Sequence, residues 1–388
     1  MNVKLIGVGA AGNKAAINAV ENNVIAMEHV MLINSTLRDI PADYKGLKVE
    51  YAGSYGGCGK ERKIAKDLVF KNIEEDVLPL EEFLCLDDPK KKAELVVIVT
   101  STEGGTGSGS SVVLGQYIQN GFGIQVHMFG FAGFQADVRG LKNTVEWFQD
   151  LEKDFAVECI ENSKFLPECR NNKLKAEKAA NAEFARKLGI LMGNTRRDSS
   201  HNIDATDLLK IVRTPGFMFI ESTNFEKVKN REQFETIVTE MIDNSKSIDV
   251  AEIKSLRVAV FINIREEYTD SISYEDIIAE RYSNGNSYEV YLHLQHEEDM
   301  PEFIAVIAAG AKMPVEEIQK IYNEYKTRVS QINTEDQFFA AAQSLKLDDD
   351  SDLSLKQAKP TVSKADFLKN LRNKEMKKEE DRDRLVDY

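Results

Sequence analysis

The sequence predicts an α/β protein in which a parallel-sheet domain is joined by a long central helix to a smaller α+β domain. A long C-terminal helix and a flexible charged tail follow. Three observations predict this class. Short apolar runs alternate with helix-compatible stretches through the first third of the chain. Two of those runs end in glycine clusters that lead directly into helical composition. A charged stretch from Leu174 to Met192 keeps Ala179, Ala182, Phe184, Ala185, Leu188 and Leu191 at near-helical spacing, which reads as one long helix between two domains.

Val3 to Val8 is the first buried-strand candidate, followed by the turn Gly7-Val8-Gly9-Ala10-Ala11-Gly12 and a helix from Asn13 to Asn22. Val30 to Ile33, Leu95 to Thr100 and Ile124 to Phe131 are further strands, with helices expected at Lys60 to Glu75 and Ser110 to Asn120. Strands separated by helices in this order imply a parallel sheet covered on both faces. Beyond the central helix, Arg257 to Ile264 and Tyr288 to Gln295 read as strands of the second domain and Val315 to Val329 as a long helix. Residues 331–388 contain Asp348-Asp349-Asp350 and then mixed charges with few large apolar side chains, a poor recipe for a packed core.

The net charge of −14 over 388 residues argues against broad nucleic-acid binding, because a polyanion is repelled at long range. Any such contact is local. Cys58, Cys85, Cys159 and Cys169 form no CxxC pair, so neither a zinc knuckle nor a disulfide framework is implied. No signal-peptide pattern precedes Val3-Lys4-Leu5-Ile6, and no apolar run approaches the roughly 20 residues that span a bilayer. The expected location is the cytoplasm, without membrane contact.

Glycines matter at phosphates because they let backbone N–H groups and a helix N-terminus approach the negative charge. Gly7, Gly9 and Gly12 match GxGxxG, which by itself points to a dinucleotide fold. That fold requires an acid at the end of the second strand for the ribose, and the residue there is Asn34. A P-loop requires GxxxxGK[ST], whereas Gly59-Lys60 is followed by Glu61 and the residue five before Gly59 is Ser54. The segment Ser101 to Ser111, STEGGTGSGSS, lies between a strand and a helix and has the hydroxyls and small residues of a triphosphate cradle.

GGTGSG between a strand and a helix, after an N-terminal GVGAAGN, resembles the tubulin and FtsZ superfamily of filament-forming GTPases over roughly residues 1 to 330. The resemblance implies that Gly9, Ala10, Ala11, Gly12 and Asn13, with Gly104, Gly105, Thr106, Gly107, Ser108 and Gly109, cradle the phosphates of GTP or GDP. It places Gly57 in a turn near the gamma-phosphate and Asn34 in the polar loop after the second strand. Phe134 to Arg139 has the spacing of the FtsZ segment FEGxxR, with Gln135 in place of the acid and Arg139 retained. Asn162 matches the loop after the sixth strand, and Asn181 matches the guanine-contacting asparagine. The stacking aromatic that some members carry four residues earlier is replaced by Glu177. Glu103 stands where the family has a small residue, and a carboxylate beside a triphosphate repels it unless it points away.

His201-Asn202-Ile203-Asp204-Ala205-Thr206-Asp207 resembles the FtsZ loop NxDxxD that follows the central helix. At a helix start, Asp204 and Asp207 project to one side and can orient a water, though acids also favour helix N-termini for dipole reasons alone. The family geometry puts this loop at the opposite end of the subunit from the nucleotide, so Asn202, Asp204 and Asp207 of one copy complete the site of the next. Such a contact propagates head to tail as a filament. Magnesium is expected to arrive with the nucleotide, since no separate metal-ligand cluster is visible.

GCGKERK at Gly57 to Lys63, RTPGF at Arg213 to Phe217 and FIAVIAAGAKMPVEEIQKIYNEYK look closest to TubZ, the plasmid and phage branch. The implied division is a GTP-binding domain at 1–175, a central helix at 176–200, an activation domain at 201–312, a C-terminal helix at 313–330 and a tail at 331–388. Lys374, Lys377 and Lys378 in the tail favour plasmid or phage DNA segregation through a DNA-bound adaptor. The acids Asp381, Asp383 and Asp387 keep open a phage tubulin that positions DNA or particles. A weakly hydrolysing nucleotide-dependent scaffold is the alternative that Glu103 and Gln135 raise.

Overall fold

The computed structural model describes residues 1–335 except 152, 154, 195–201, 227, 229, 251–252, 266–271 and 283–288, together with 369, 370, 372 and 373. His201 and nearly all of the charged tail lie outside the described residues. The chain opens with β1 (Val3–Val8), α1 (Gly9–Glu21), β2 (Val30–Asn34) and β3 (Leu47–Glu50). It continues through α2 (Arg62–Glu74), α3 (Leu80–Phe83), β4 (Leu95–Ser101), α4 (Gly105–Phe122), β5 (Gln125–Ala132), α5 (Val138–Asp150) and β6 (Ala156–Glu161). After α6 (Lys173–Leu191) and α7 (Ala205–Val212) come β7 (Gly216–Asn224), α8 (Arg231–Asp243), β8 (Arg257–Asn263) and α9 (Tyr274–Tyr282). Last are β9 (Glu289–Gln295), β10 (Phe303–Ala311) and α10 (Val315–Glu335).

Among the described residues, ten strands join one sheet in the order β3-β2-β1-β4-β5-β6-β7-β10-β8-β9. Only β10 runs antiparallel to its neighbours β7 and β8. The apolar runs are continuous because both faces are covered. In β4, Val96 and Ile98 enter a core shared with α2, α4 and α5, while Leu95, Val97 and Val99 enter one shared with α1, α6 and α7. Full burial of Phe184, Leu188 and Leu191 on α6 contributes about 1.5–3 kcal/mol per side chain.

Two helix starts differ from the sequence expectation. The glycines read as turns before Asn13 and Ser110 instead form the first helical turns of α1 and α4. The cause is close packing. A Cβ at Gly12 would run into the Val99 carbonyl oxygen, and one at Gly109 would lie 2.5 Å from the Arg62 carbonyl oxygen.

The sheet narrows between β6 and β7, which share only the pairs Ala156↔Gly216 and Val157↔Phe217. Beyond them, Ser247 bridges Ile160 in antiparallel fashion, and the Ile248 N–H donates to the Cys159 carbonyl at 2.8 Å. The fully buried Lys187 Nζ from α6 donates to Glu158 Oε1 on β6 (2.7 Å), Glu221 Oε1 on β7 (2.9 Å) and Ser247 Oγ (2.9 Å). Burial pushes the Glu158 carboxyl up to about 7, against the opposing pull of Lys187.

Candidate nucleotide site

Parallel pairing of β1 with β4 sets Val8 beside Thr100, so α1 and α4 start next to each other at the carboxyl edge of the sheet. The two starts touch. A Cβ on Gly9, whose φ is +76°, would lie 2.9 Å from the Gly107 nitrogen. On Gly107 a Cβ would clash with the Thr100 hydroxyl and lie 3.0 Å from the Val8 carbonyl oxygen. Helix α2 joins them, since a Cβ on Gly105 would lie 2.8 Å from Lys60 Cα.

Helices α5, α6, α7 and α8 each carry an Asp or Asn side chain bonded to a first-turn N–H. The three converging helices α1, α2 and α4 have no such cap and no acid in the first turn. First-turn N–H groups without side-chain caps therefore come together at the carboxyl edge of the sheet, where Glu61 at the α2 N-cap is paired with Arg139, an arrangement that favours an anion. Ala10, Ala11, Gly104 and Thr106 are partly exposed there. Ser108 and Gly109 are buried, and the Ser108 hydroxyl donates to the Gly104 carbonyl.

The loop after β2 closes one side. Asn34 is buried, with Nδ2 donating to Asp39 Oδ2 (3.1 Å) and Oδ1 accepting from the Ser35 N–H (2.9 Å), so its amide shapes the loop. Ser35 Oγ meets Thr106 Oγ1 at 2.7 Å. Asn13 ties α1 to β2 through the Ile33 carbonyl (3.3 Å), leaving its Oδ1 buried and unpartnered. The turn carrying Gly56, Gly57 and Gly59 has positive φ at all three, and Gly57 is exposed.

Glu103 points away from the glycines of α4. Its side chain lies against Gly133 and Gly140, where a Cβ at Gly133 would collide with the carboxylate. Its Oε1 accepts from the Gln135 N–H at 2.7 Å, and burial raises its pKa. The Glu103 carboxylate is thereby turned away from the glycines of α4, towards Gly133 and Gly140. The Arg139 guanidinium donates to the Gly59 carbonyl (3.2 Å) and pairs with Glu61 (2.9 Å), while Lys60 bonds Asp137 and lowers its pKa. Asn143, which sequence reading missed, donates to the carbonyls of Lys60 and Glu103, both at 3.0 Å.

Asn162 Oδ1 is buried without a partner, and Asn181 sits half-buried on α6, the helix packed against α1. Lys173, at the start of α6, lies over the Phe134 ring (5.4 Å) just past the end of β5. At the other end, Asn194 Nδ2 donates to the Val24 carbonyl beyond α1, and Arg213 after α7 donates to the Glu94 carbonyl before β4. Asn202, Asp204 and Asp207 therefore lie at the amino edge of the sheet. The 19 residues of α6 span roughly 28 Å, so these residues and the glycine-lined helix starts sit at opposite edges of the sheet.

Asp204 caps α7, with Oδ1 accepting from the Asp207 N–H at 2.7 Å, and is otherwise exposed. Asp207 accepts from Lys210 Nζ at 2.9 Å. Among the described residues no cluster of three His, Cys, Asp or Glu could hold a metal ion. Among them, too, no helix is long and apolar enough to cross a membrane.

No protein-family model and no curated protein matches the sequence. Solved structures match the fold. The GTPγS-form protofilament of Bacillus thuringiensis serovar israelensis TubZ superposes with a TM-score of 0.71 at 15% identity, covering 86% of this chain and 94% of that one. Clostridium botulinum phage c-st TubZ gives 0.66 at 13% identity, covering 85% and 99%. FtsZ from M. jannaschii gives 0.59 at 18% identity, covering 80% and 88%. The chain shares the fold of these TubZ and FtsZ structures.

Proposed function

We propose that this chain is a filament-forming GTPase of the tubulin/FtsZ kind, which polymerises head to tail with GTP and acts in plasmid or phage DNA segregation or positioning. One observation carries the reading. Three uncapped helix N-termini converge at one edge of the sheet, while Asp204, the exposed N-cap of α7, and Asp207 in its first turn lie at the opposite edge. The TubZ structure cited above, a GTPγS-form protofilament, supports both the ligand and the assembly.

In this reading the N–H groups of Gly9–Asn13 and Gly104–Gly109 hold the phosphates, the turn at Gly57 borders the gamma-phosphate, and Gln135 and Arg139 line the ribose side. The amide of Asn181 meets the base, and Asn162, whose Oδ1 is buried without a partner, contacts the nucleotide from the loop after β6. Residues 1–175 form the GTP-binding domain, 176–200 the central helix and 201–312 the activation domain; the helix at 313–330 leads into a tail that engages a DNA-bound adaptor. Asp204 and Asp207 of one copy orient the attacking water at the next copy's nucleotide, and Asn202 helps position them. Magnesium, bound with GTP, supplies charge neutralisation on the phosphates.

Because each site needs two copies, turnover per molecule should rise steeply with protein concentration and track GTP-dependent pelleting. Turnover that stays flat with concentration, with no pelleting, refutes the shared site.

A further inference from the structure

Gln135 holds a left-handed backbone (φ +51°), which residues with side chains seldom adopt. Its peptide groups are gripped from two distant elements. The N–H donates to Glu103 Oε1 at 2.7 Å, and the carbonyl accepts from Arg328 Nη1 at 2.8 Å. Arg328 belongs to α10, which packs along α5, and Glu324 one turn earlier aims its guanidinium through Nε at 2.6 Å. Asn143 extends the grip, bonding the Glu103 and Lys60 carbonyls together. A strained residue persists in such a loop only where its surroundings over-determine it.

We infer that Arg328 is a positioning residue for the nucleotide crevice, and that α10 and the crevice are coupled through the Gln135 peptide. The inference rests on the nucleotide-binding reading above. Docked α10 holds the loop 133–137 in place where it enters α5, from whose first turn Arg139 reaches the turn at Gly59. Displaced α10 releases it. Coupling of this kind is reciprocal, so a partner that engages the chain beyond α10 changes nucleotide affinity, and nucleotide binding changes how α10 is held.

The test uses full-length protein below its assembly concentration, with mant-GDP as the probe. Arg328→Ala should speed hydrogen exchange at the Gln135 amide in nucleotide-free protein about tenfold. It should weaken mant-GDP binding roughly three- to tenfold, as expected for one lost charged hydrogen bond that is partly exposed. Arg328→Lys, which retains a cationic donor, should restore most of both. Lys326→Ala, an exposed change on the same helix, should alter neither. Unchanged exchange and affinity in Arg328→Ala, or equal effects from Lys326→Ala, overturn the coupling. Absence of mant-GDP binding by the unaltered protein overturns the nucleotide reading, and the coupling with it.

Discussion

Replacing Lys187 by methionine keeps the aliphatic stem but removes the cation that bonds Glu158, Glu221 and Ser247 between β6 and β7. Lys187 and Glu158 are completely buried, and Arg186 approaches Glu221 only at 3.4 Å. Breaking a buried pair by deleting one partner costs about 3–5 kcal/mol, because the remaining charge has neither water nor counter-ion. That range is the expected loss at pH 8, read from urea midpoints with a constant slope. The Glu158 carboxyl already sits at about 7, above its ordinary 4.5, so the folded state binds more protons than the unfolded one between those values. Stability from this group is complete below 4.5 and lost as pH rises through 7. Without Lys187 its pKa rises further, so the variant's deficit should shrink from pH 8 to pH 6 by up to about 1.4 kcal/mol per pH unit. Adding Glu158→Gln should recover most of the loss at pH 8. A loss under about 1 kcal/mol, or one independent of pH, would refute the assignment of Lys187 as the charge that neutralises this joint.

Gly107→Ala should abolish nucleotide binding or fold poorly, since its Cβ meets Thr100 and Val8. Gly104→Ala, with open space and an ordinary φ of −75°, should shift stability by less than about 0.5 kcal/mol in the same urea titration. Asp204→Asn keeps an N-cap acceptor for α7 but removes the charge. Nucleotide affinity should stay within about twofold while assembly-linked turnover falls about 100-fold or more, and an unchanged turnover would remove Asp204 from the hydrolytic role. His127 is buried on β5 with neither ring nitrogen bonded, stacked on Phe129 at 4.7 Å, and burial lowers its pKa to about 3. Its contribution to stability is present above 6.5 and lost as pH falls towards 3, so His127→Phe should stabilise by about 1–3 kcal/mol at pH 7 and flatten the acid limb of a urea-midpoint series.

Local signals made half of this molecule legible. β1, β2, β4 and β5 are predominantly apolar runs, interrupted only by single polar residues such as Lys4 and His127, and α6 has helical spacing over five turns, so pattern alone placed them. The glycines pointed to a close backbone approach, but composition could not distinguish a turn from a helix's first turn, because the deciding contacts are with Val99 and Arg62. Phe217 to Ile220 in β7 and Phe303 to Ala309 in β10 are also apolar runs; their pairing joins residues some 80 positions apart and left no local trace. Likewise Glu103 looked like a repulsive charge. Its orientation depends on the space at Gly133 and Gly140 and on a peptide 32 residues away, information that no window around the loop contains.

The narrow joint between β6 and β7 also bears on mechanics. A β-ladder resists shear through many short bonds in fixed register, and β7 and β10 form such a ladder along eight pairs. Across the joint only two pairs cross, and the connection is completed by the Ser247 bridge to Ile160, the Ile248 bond to Cys159, the lysine reaching two carboxylates and a serine, and the apolar packing of α6 on both sides. Side-chain contacts of that sort tolerate small rotations and re-form without choosing a register. Register across the sheet is therefore fixed by long ladders within each block of strands, and across the joint by a short ladder together with side-chain packing under α6.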